Sequence, residues 1–436
     1  MEINKRMRLR IIAASLLGTT IEWYDFFLYG TAASLVFGGL FFPKSDPDVA
    51  LLLSYATFVV AFVARPLGSV IFSYIGDRIG RKAPLIITLT GMGIITTLIG
   101  LLPGYNSIGF WAPLLLIILR FLQGIAMGGE WGGVVVFMNE HSPKGKRGFY
   151  GGLPNLGVPL GLLLSTAAMS LMTIVAKGDA FIEWGWRIPF IASVVLVGIG
   201  FWIRSGIPES LVFQEAKESN NLSKYPLRDA VKYHWVSILK LVGVKFGENV
   251  WYYIITTYVI SYATGLGYSS GSVLNVINIA ALLTVFTLLG ASYLTDFVSR
   301  RSMYIAGATA TILFAIPYFY LVGQSYSGFV IVTIIALSVI WPFMITVQGS
   351  LFPQAFPTNV RYTGVSLVYG ITAPLVGLAP FIATYLNNRF DSYIAIAIYL
   401  MVAGVISLVS VFSLHLKMNK KEIENDFQKA SKVVLK

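Results

Sequence analysis

The sequence predicts an all-α polytopic membrane protein, with twelve transmembrane helices arranged as two six-helix halves. Three observations predict it. The chain of 436 residues is 56% hydrophobic and only 12% charged, with a mean hydropathy of +0.74; a soluble domain carries about twice that share of charge. The apolar residues gather into twelve runs, and a hydrocarbon core of ~30 Å takes ~20 helical residues to cross. A short charged turn is also repeated at half-length. Ser73–Lys82 reads Ser-Tyr-Ile-Gly-Asp-Arg-Ile-Gly-Arg-Lys, and Ser292–Arg301 reads Ser-Tyr-Leu-Thr-Asp-Phe-Val-Ser-Arg-Arg. Both lie between two apolar runs, which marks the chain as a duplication.

The runs fall at 11–39, 50–75, 84–103, 111–139, 149–175, 188–204, 234–264, 272–296, 302–322, 328–353, 361–386 and 391–416. Several contain Gly or Pro, which membrane helices tolerate better than soluble ones do. The basic N-terminus is followed by an apolar run without a convincing cleavage site, so the first run is expected to stay as a helix. The longest polar stretch, 205–232, is read as a cytoplasmic linker between an N-terminal half, 1–204, and a C-terminal half, 233–416. The tail 417–436 places Ile423, Phe427, Ala430 and Val434 on one helical face among lysines. It reads as an amphipathic helix on the inner leaflet.

The connecting loops alternate in charge. One set holds Lys5, Arg6, Arg8, Arg10, Arg78, Arg81, Lys82, Lys144, Lys146, Arg147, Lys217, Lys224, Arg228, Lys232, Arg300, Arg301, Arg361 and the tail; the other holds only Lys44, Lys177, Arg187 and Arg389. Basic loops stay cytoplasmic, which places both termini inside a plasma-membrane protein. The net charge of +12 is thus a topology signal rather than a nucleic-acid surface, with the lipid bilayer as its partner. The chain has no cysteine, and His141, His234 and His415 are scattered. No metal site, no cofactor and no nucleophile–histidine–acid set is expected, so the protein is not read as an enzyme.

Seven ionisable residues fall inside the expected spans: Glu22, Asp25, Arg65, Arg120, Glu130, Lys245 and Glu248. Each is costly in lipid unless it meets a partner or water, so each is a functional candidate. At 1.5 Å per helical residue, Arg120 lies ~13 Å below the outer surface, and Glu22 and Asp25 lie ~16 and ~21 Å above the inner one. All three are near the midplane. A permanent arginine charge needs a partner there, and Asp25 or Glu22 is the natural one. Such a pair is a proton switch: when the carboxylate takes a proton, the arginine is released toward another anion. Lys245 and Glu248 stand three apart and either pair within their helix or leave Lys245 to an anionic substrate. Arg65, just before Pro66, either binds substrate or braces the bundle. Trp23, Tyr24, Asn249, Tyr252 and Tyr369 are further candidates for a binding pocket. Gly124, Gly128 and Gly132 share one helical face, which suits close packing against a neighbour.

These motifs resemble the major facilitator superfamily and, within it, the metabolite:proton symporter family, across essentially the whole chain. The loop motif appears as Asp77-Arg78-Ile79-Gly80-Arg81-Lys82, with Ser73 where the family has Gly. Arg120, Gln123 and Gly124 match the motif of the fourth helix. The family-level signatures are Glu22-Trp23-Tyr24-Asp25-Phe26 and Gly128-Gly129-Glu130-Trp131-Gly132-Gly133. The resemblance implies two six-helix halves of inverted three-helix repeats around a central site. It implies a secondary active transporter, coupling proton symport to a small organic acid by alternating access. A proline/betaine-type compatible-solute symporter or an uncoupled facilitator or exchanger is the alternative. It implies Asp25 as proton carrier with Arg120, Glu22 being the other choice, and a carboxylate held by Arg65, Arg120 and Lys245. Asp77, Arg78, Arg81, Glu140, Arg147, Asp296 and Arg300 are the implied gating network; Glu130 and Glu248 are structural or coupling residues. Protons are the only coupling ion expected, the substrate is anionic, and the protein is a monomer.

Overall fold

A computed structural model describes residues 5–78, 82–128, 147–206, 226–356 and 361–414, with the isolated positions Val134 and Met138. Twelve helical segments are present among them. The first half holds α1 (Lys5–Ala32, continued by a π-helical turn at Ala33–Phe37 and by Gly38–Phe41), α2 (Pro47–Arg78), α3 (Lys82–Leu101), α4 (Trp111–Met127), α5 (Gly157–Val175) and α6 (Arg187–Ser205). Ahead of α5 stand the short helix Arg147–Gly152 and the 3-10 turn Leu153–Leu156. The second half holds α7 (Pro226–Tyr253, then a π-helical turn at Ile254–Tyr258 and Val259–Gly265), α8 (Ser270–Leu294) and α9 (Arg300–Gln324). It continues with α10 (Tyr326–Ile334, Ile335–Ile340 and Trp341–Leu351), α11 (Arg361–Gly377 and Ala379–Phe390) and α12 (Tyr393–Ser413). Ten of these segments are long and apolar enough to cross a membrane, and Trp111–Met127 is a shorter apolar helix.

The packing repeats with the duplication. In the first half α1 packs on α5, α2 on α4 and α3 on α6; in the second, α7 packs on α11, α8 on α10 and α9 on α12. The halves meet through α5 against α8 and α11 against α2, the same pairing with the two halves exchanged. The glycine face of α4 explains one contact directly. A Cβ on Gly124 would lie 2.0 Å from the Ala61 carbonyl oxygen, and one on Gly128 would lie 2.2 Å from that of Arg65. Only glycine lets the two backbones approach so closely.

Apolar side chains such as Val63, Trp202 and Leu313 stand exposed on the outside of the bundle. That is the expected surface of a lipid-facing belt. Polar and charged residues are turned inward, Asp25, Arg120 and Gln123 with no exposure at all.

Two expectations change here. Helix α7 begins at Pro226, inside the stretch expected as linker. Proline suits a first helical turn, because its missing N–H would have had no partner there. The expected tail helix lies outside the described residues, as do Arg81, Glu130, Glu140, Gly132, His141 and His415, and the side chains of Asp77, Arg78 and Arg147.

Candidate functional site

Between the two halves lies a cavity of about 50 Å³, the space open to the centre of a water molecule. Its wall takes Glu22 and Trp23 from α1, Arg65 and Ser69 from α2, and Asn155 from the turn before α5. The second half supplies Lys245, Glu248, Asn249, Tyr252 and Tyr253 from α7, Trp341 from α10 and Tyr369 from α11. The halves also touch toward both ends of the bundle. At the end carrying the chain termini, Asp296 accepts hydrogen bonds from the backbone N–H groups of Gly148 (2.9 Å) and Phe149 (3.3 Å). These are orphan donors of the short helix before α5, and a carboxylate suits them. At the far end, Tyr55 hydrogen-bonds Ser261 (3.0 Å), and Ser34 donates to the Thr257 carbonyl (3.2 Å).

The second-half wall is a connected network. Glu248 accepts from the Trp341 indole at 2.6 Å and from Gln348 Nε2 at 2.9 Å, and pairs with Lys245 at 3.5 Å. Gln348 Oε1 accepts from Lys245 Nζ (3.0 Å) and from the Tyr369 hydroxyl (3.1 Å). Lys245 also sits 4.0 Å from the centroid of the Tyr369 ring. Of the two alternatives for Lys245, pairing within the helix is the one realised, yet its ammonium still borders the cavity. The Tyr252 ring lies against that of Trp341, with centroids 4.2 Å apart and planes tilted by 33°. On the opposite wall, Arg65 lies over Phe62 (4.7 Å) and Phe26 (5.0 Å) and reaches the Met127 sulfur at 3.3 Å. It both braces the bundle and faces the cavity.

The expected Asp25–Arg120 ion pair is not formed. Arg120 donates to Gln123 and to the Phe58 carbonyl (3.3 Å), and its guanidinium lies 3.7 Å from the centroid of the Tyr29 ring. Asp25 accepts from Ser193 of α6 at 2.7 Å, and its second carboxylate oxygen has no hydrogen-bond partner. The two rest on separate partners: Gln123 donates to Thr96 at 2.8 Å, and the Thr96 hydroxyl donates to the Met92 carbonyl at 2.9 Å. Neither Asp25 nor Arg120 lines the cavity, so Arg120 is not placed to touch a substrate there. Tyr24 is displaced from the pocket as well: its hydroxyl donates to the Pro189 carbonyl at 2.9 Å. Each helical residue turns the direction by about 100°, so the pair Glu22 and Trp23 brackets the cavity side while the pair Tyr24 and Asp25 brackets the side of α6.

Sequence reasoning missed Gln348, Trp341, Asn155 and Ser193. Gln348 carried a readable signal, an amide in the middle of a long apolar run, which needs partners in lipid. Ser193 carried none beyond an ordinary small residue. Among the described residues no group of His, Asp and Glu is placed to hold a metal ion.

Residues 11–234 match the family model described as "Sugar (and other) transporter". The chain is 38% identical over 420 residues to the inner membrane metabolite transport protein YhjE of Escherichia coli K12, covering 95% of each chain. It is 38% identical over 407 residues to the Escherichia coli K12 shikimate transporter, covering 92% of this chain and 93% of that one. It is 35% identical over 427 residues to the proline/betaine transporter of Salmonella typhimurium LT2, covering 95% of this chain and 85% of that one. The chain belongs to the major facilitator superfamily. Among solved structures, the partially occluded inward-open xylose transporter XylE of Escherichia coli superposes with a TM-score of 0.70 at 15% identity, over 94% of this chain and 97% of that one. That likeness concerns the twelve-helix fold. The protein is thus a multi-pass membrane transporter of a small molecule, not an enzyme.

Proposed function

We propose that this transporter is a proton-coupled symporter of a small carboxylate, working by alternating access with both termini in the cytoplasm. The observation that carries the reading is a central cavity bordered by one cation from each half, Arg65 and Lys245. A carboxylate held between them draws the two halves together, and its charge-assisted bonds are the strong kind. Asp25 is the proton carrier of this reading. It is buried beside Ser193, outside the cavity, with no fixed cation against it. Glu22 is on the wall, where substrate passes.

Uptake into proteoliposomes under an imposed pH gradient tests the coupling. Accumulation that follows the gradient supports symport, and uptake indifferent to it makes the protein a facilitator. Competition by neutral sugars as strong as that by carboxylates overturns the substrate reading. A second reading has its own support. The wall acids Glu22 and Glu248 balance Arg65 and Lys245, and the rings of Trp23, Tyr252 and Trp341 suit a substrate ammonium. A zwitterion of the proline or betaine type fits that balance, and the same competition assay separates it from a plain organic acid.

A further inference from the structure

Asn155 stands in the turn Leu153–Leu156 and is fully buried. Its side-chain nitrogen donates to the Ile345 carbonyl of α10 at 3.3 Å. A carbonyl only accepts, so this bond fixes which end of the amide is which. The other end, Oδ1, has no hydrogen-bond partner, although the residue lines the cavity. Trp23 at its indole N–H, Arg65 at Nε and Tyr252 at its hydroxyl likewise hold buried polar atoms without a partner on this wall. Two of these atoms can only donate, and the third does so readily. The acceptor oxygens of Glu248 are meanwhile engaged by Trp341, Gln348 and Lys245. Buried polar atoms are costly to leave unmatched, so this set describes the complement of what fills the cavity. It consists of acceptors facing Trp23, Arg65 and Tyr252, and a donor facing Asn155.

We propose that the substrate carries a hydrogen-bond donor of its own in addition to its carboxylate, and that Asn155 is the residue that reads it. Oδ1 accepts from a substrate hydroxyl or N–H, while Trp23, Arg65 and Tyr252 donate to the carboxylate. The inference rests on the carboxylate reading above and narrows it. It also gives substrate recognition a mechanical position, because the amide that reads the donor is tied through its nitrogen to the backbone of the opposite half.

The test uses the full-length protein, with binding read from tryptophan fluorescence, since Trp23 and Trp341 both line the cavity. Four probes share one ring: cyclohexanecarboxylate, its 3-hydroxy acid, the methyl ether of that acid and the 3-amino acid. Butyrate and 3-hydroxybutyrate form an open-chain pair. The hydroxy acids should bind about tenfold or more tighter than their parents, and the ether should behave as the parent does. Tighter binding of the amino acid than of the hydroxy acid assigns the donor to nitrogen; the reverse assigns it to oxygen. Asn155→Leu should abolish the preference, so that each hydroxy acid binds that variant no tighter than its parent. Tyr252→Phe should weaken all the acids alike by about tenfold and keep the preference. If wild type binds every acid equally, water alone satisfies Asn155 and the inference is overturned while the carboxylate reading stands. If no acid binds to folded protein, the carboxylate reading falls and takes the inference with it. The comparison within wild type decides the matter even where Asn155→Leu does not fold.

Discussion

Replacing Asp25 by Asn imitates a carboxyl that never releases its proton. Were Asp25 the ion-pair partner of Arg120, the change would strand a buried cation and cost ~3–5 kcal/mol. The structure gives a smaller figure. Arg120 keeps Gln123, the Phe58 carbonyl and the Tyr29 ring, and the asparagine oxygen still accepts from Ser193. No contact is lost outright, so the stability cost should stay within about 1 kcal/mol, the worth of one altered hydrogen bond. Transport should respond quite differently. For one proton per substrate, a gradient of one pH unit is worth ~1.4 kcal/mol, a tenfold concentration ratio. Wild type in proteoliposomes should approach that ratio. Asp25→Asn should stop at equal concentrations, yet still exchange labelled for unlabelled substrate across the membrane, because the cavity wall is untouched. Thermal unfolding and paired uptake and counterflow assays read the two halves of the prediction. Accumulation by Asp25→Asn would refute the assignment, and if Glu22→Gln then fails to accumulate, the role passes to Glu22. A stability loss of several kcal/mol would refute the geometry instead.

Gln348→Leu removes a donor from Glu248 and an acceptor from both Lys245 and Tyr369, at ~1.5–3 kcal/mol for each bond to a charged group; carboxylate binding, read by fluorescence titration, should weaken about a hundredfold, and a change under threefold would show that the network does not position Lys245. Tyr55→Phe removes the hydroxyl that bridges to Ser261, worth ~1 kcal/mol. With Ala373, which also lines the cavity, changed to Cys as the reporter in a chain otherwise free of cysteine, labelling from the far side should rise about fivefold. Asp296→Ala takes the acceptor from Gly148 and Phe149; the same cysteine should then label faster from the side of the termini, and unchanged rates would show that this contact does not hold the gate.

How much of this was readable from the sequence follows from what each kind of signal encodes. Hydropathy and loop charge report where a chain crosses a membrane, and the repeated Asp-containing turns reported that it does so twice over. The α2–α11 and α8–α5 pairing is that repeat expressed in space. Counting residues along a helix gave the depth of Asp25, Glu22 and Arg120, and depth is one coordinate of three. Whether two residues at equal height meet depends on the rotation of each helix about its axis. That rotation is set by contacts such as Gly124 on Ala61, which no single helix contains. Glu22, read from the sequence as a partner for Arg120, therefore lines the cavity with Lys245, while Tyr24, Asp25 and Arg120 turned elsewhere. Gln348 carries no charge to mark it in the sequence, although an amide in lipid needs partners for the same reason a charge does.

The π-helical turns at Ala33–Phe37 and Ile254–Tyr258 stand at corresponding places in α1 and α7, and they meet where Ser34 donates to the Thr257 carbonyl. A π turn holds about one residue more than an α turn, so everything beyond it is rotated by about 100° relative to an uninterrupted helix. That phase shift lets one helix address two audiences. Before the turn, Trp23 faces the cavity; after it, Phe41 packs on Phe37, whose ring also meets Trp186 and Phe190. Loss of a single residue within Ala33–Phe37 would cancel the shift and act as a frameshift of the surface, turning Gly38–Phe41 away from their neighbours without changing one side chain. In this bundle the count of residues between cavity and rim is itself information, written in α1 and written again in α7.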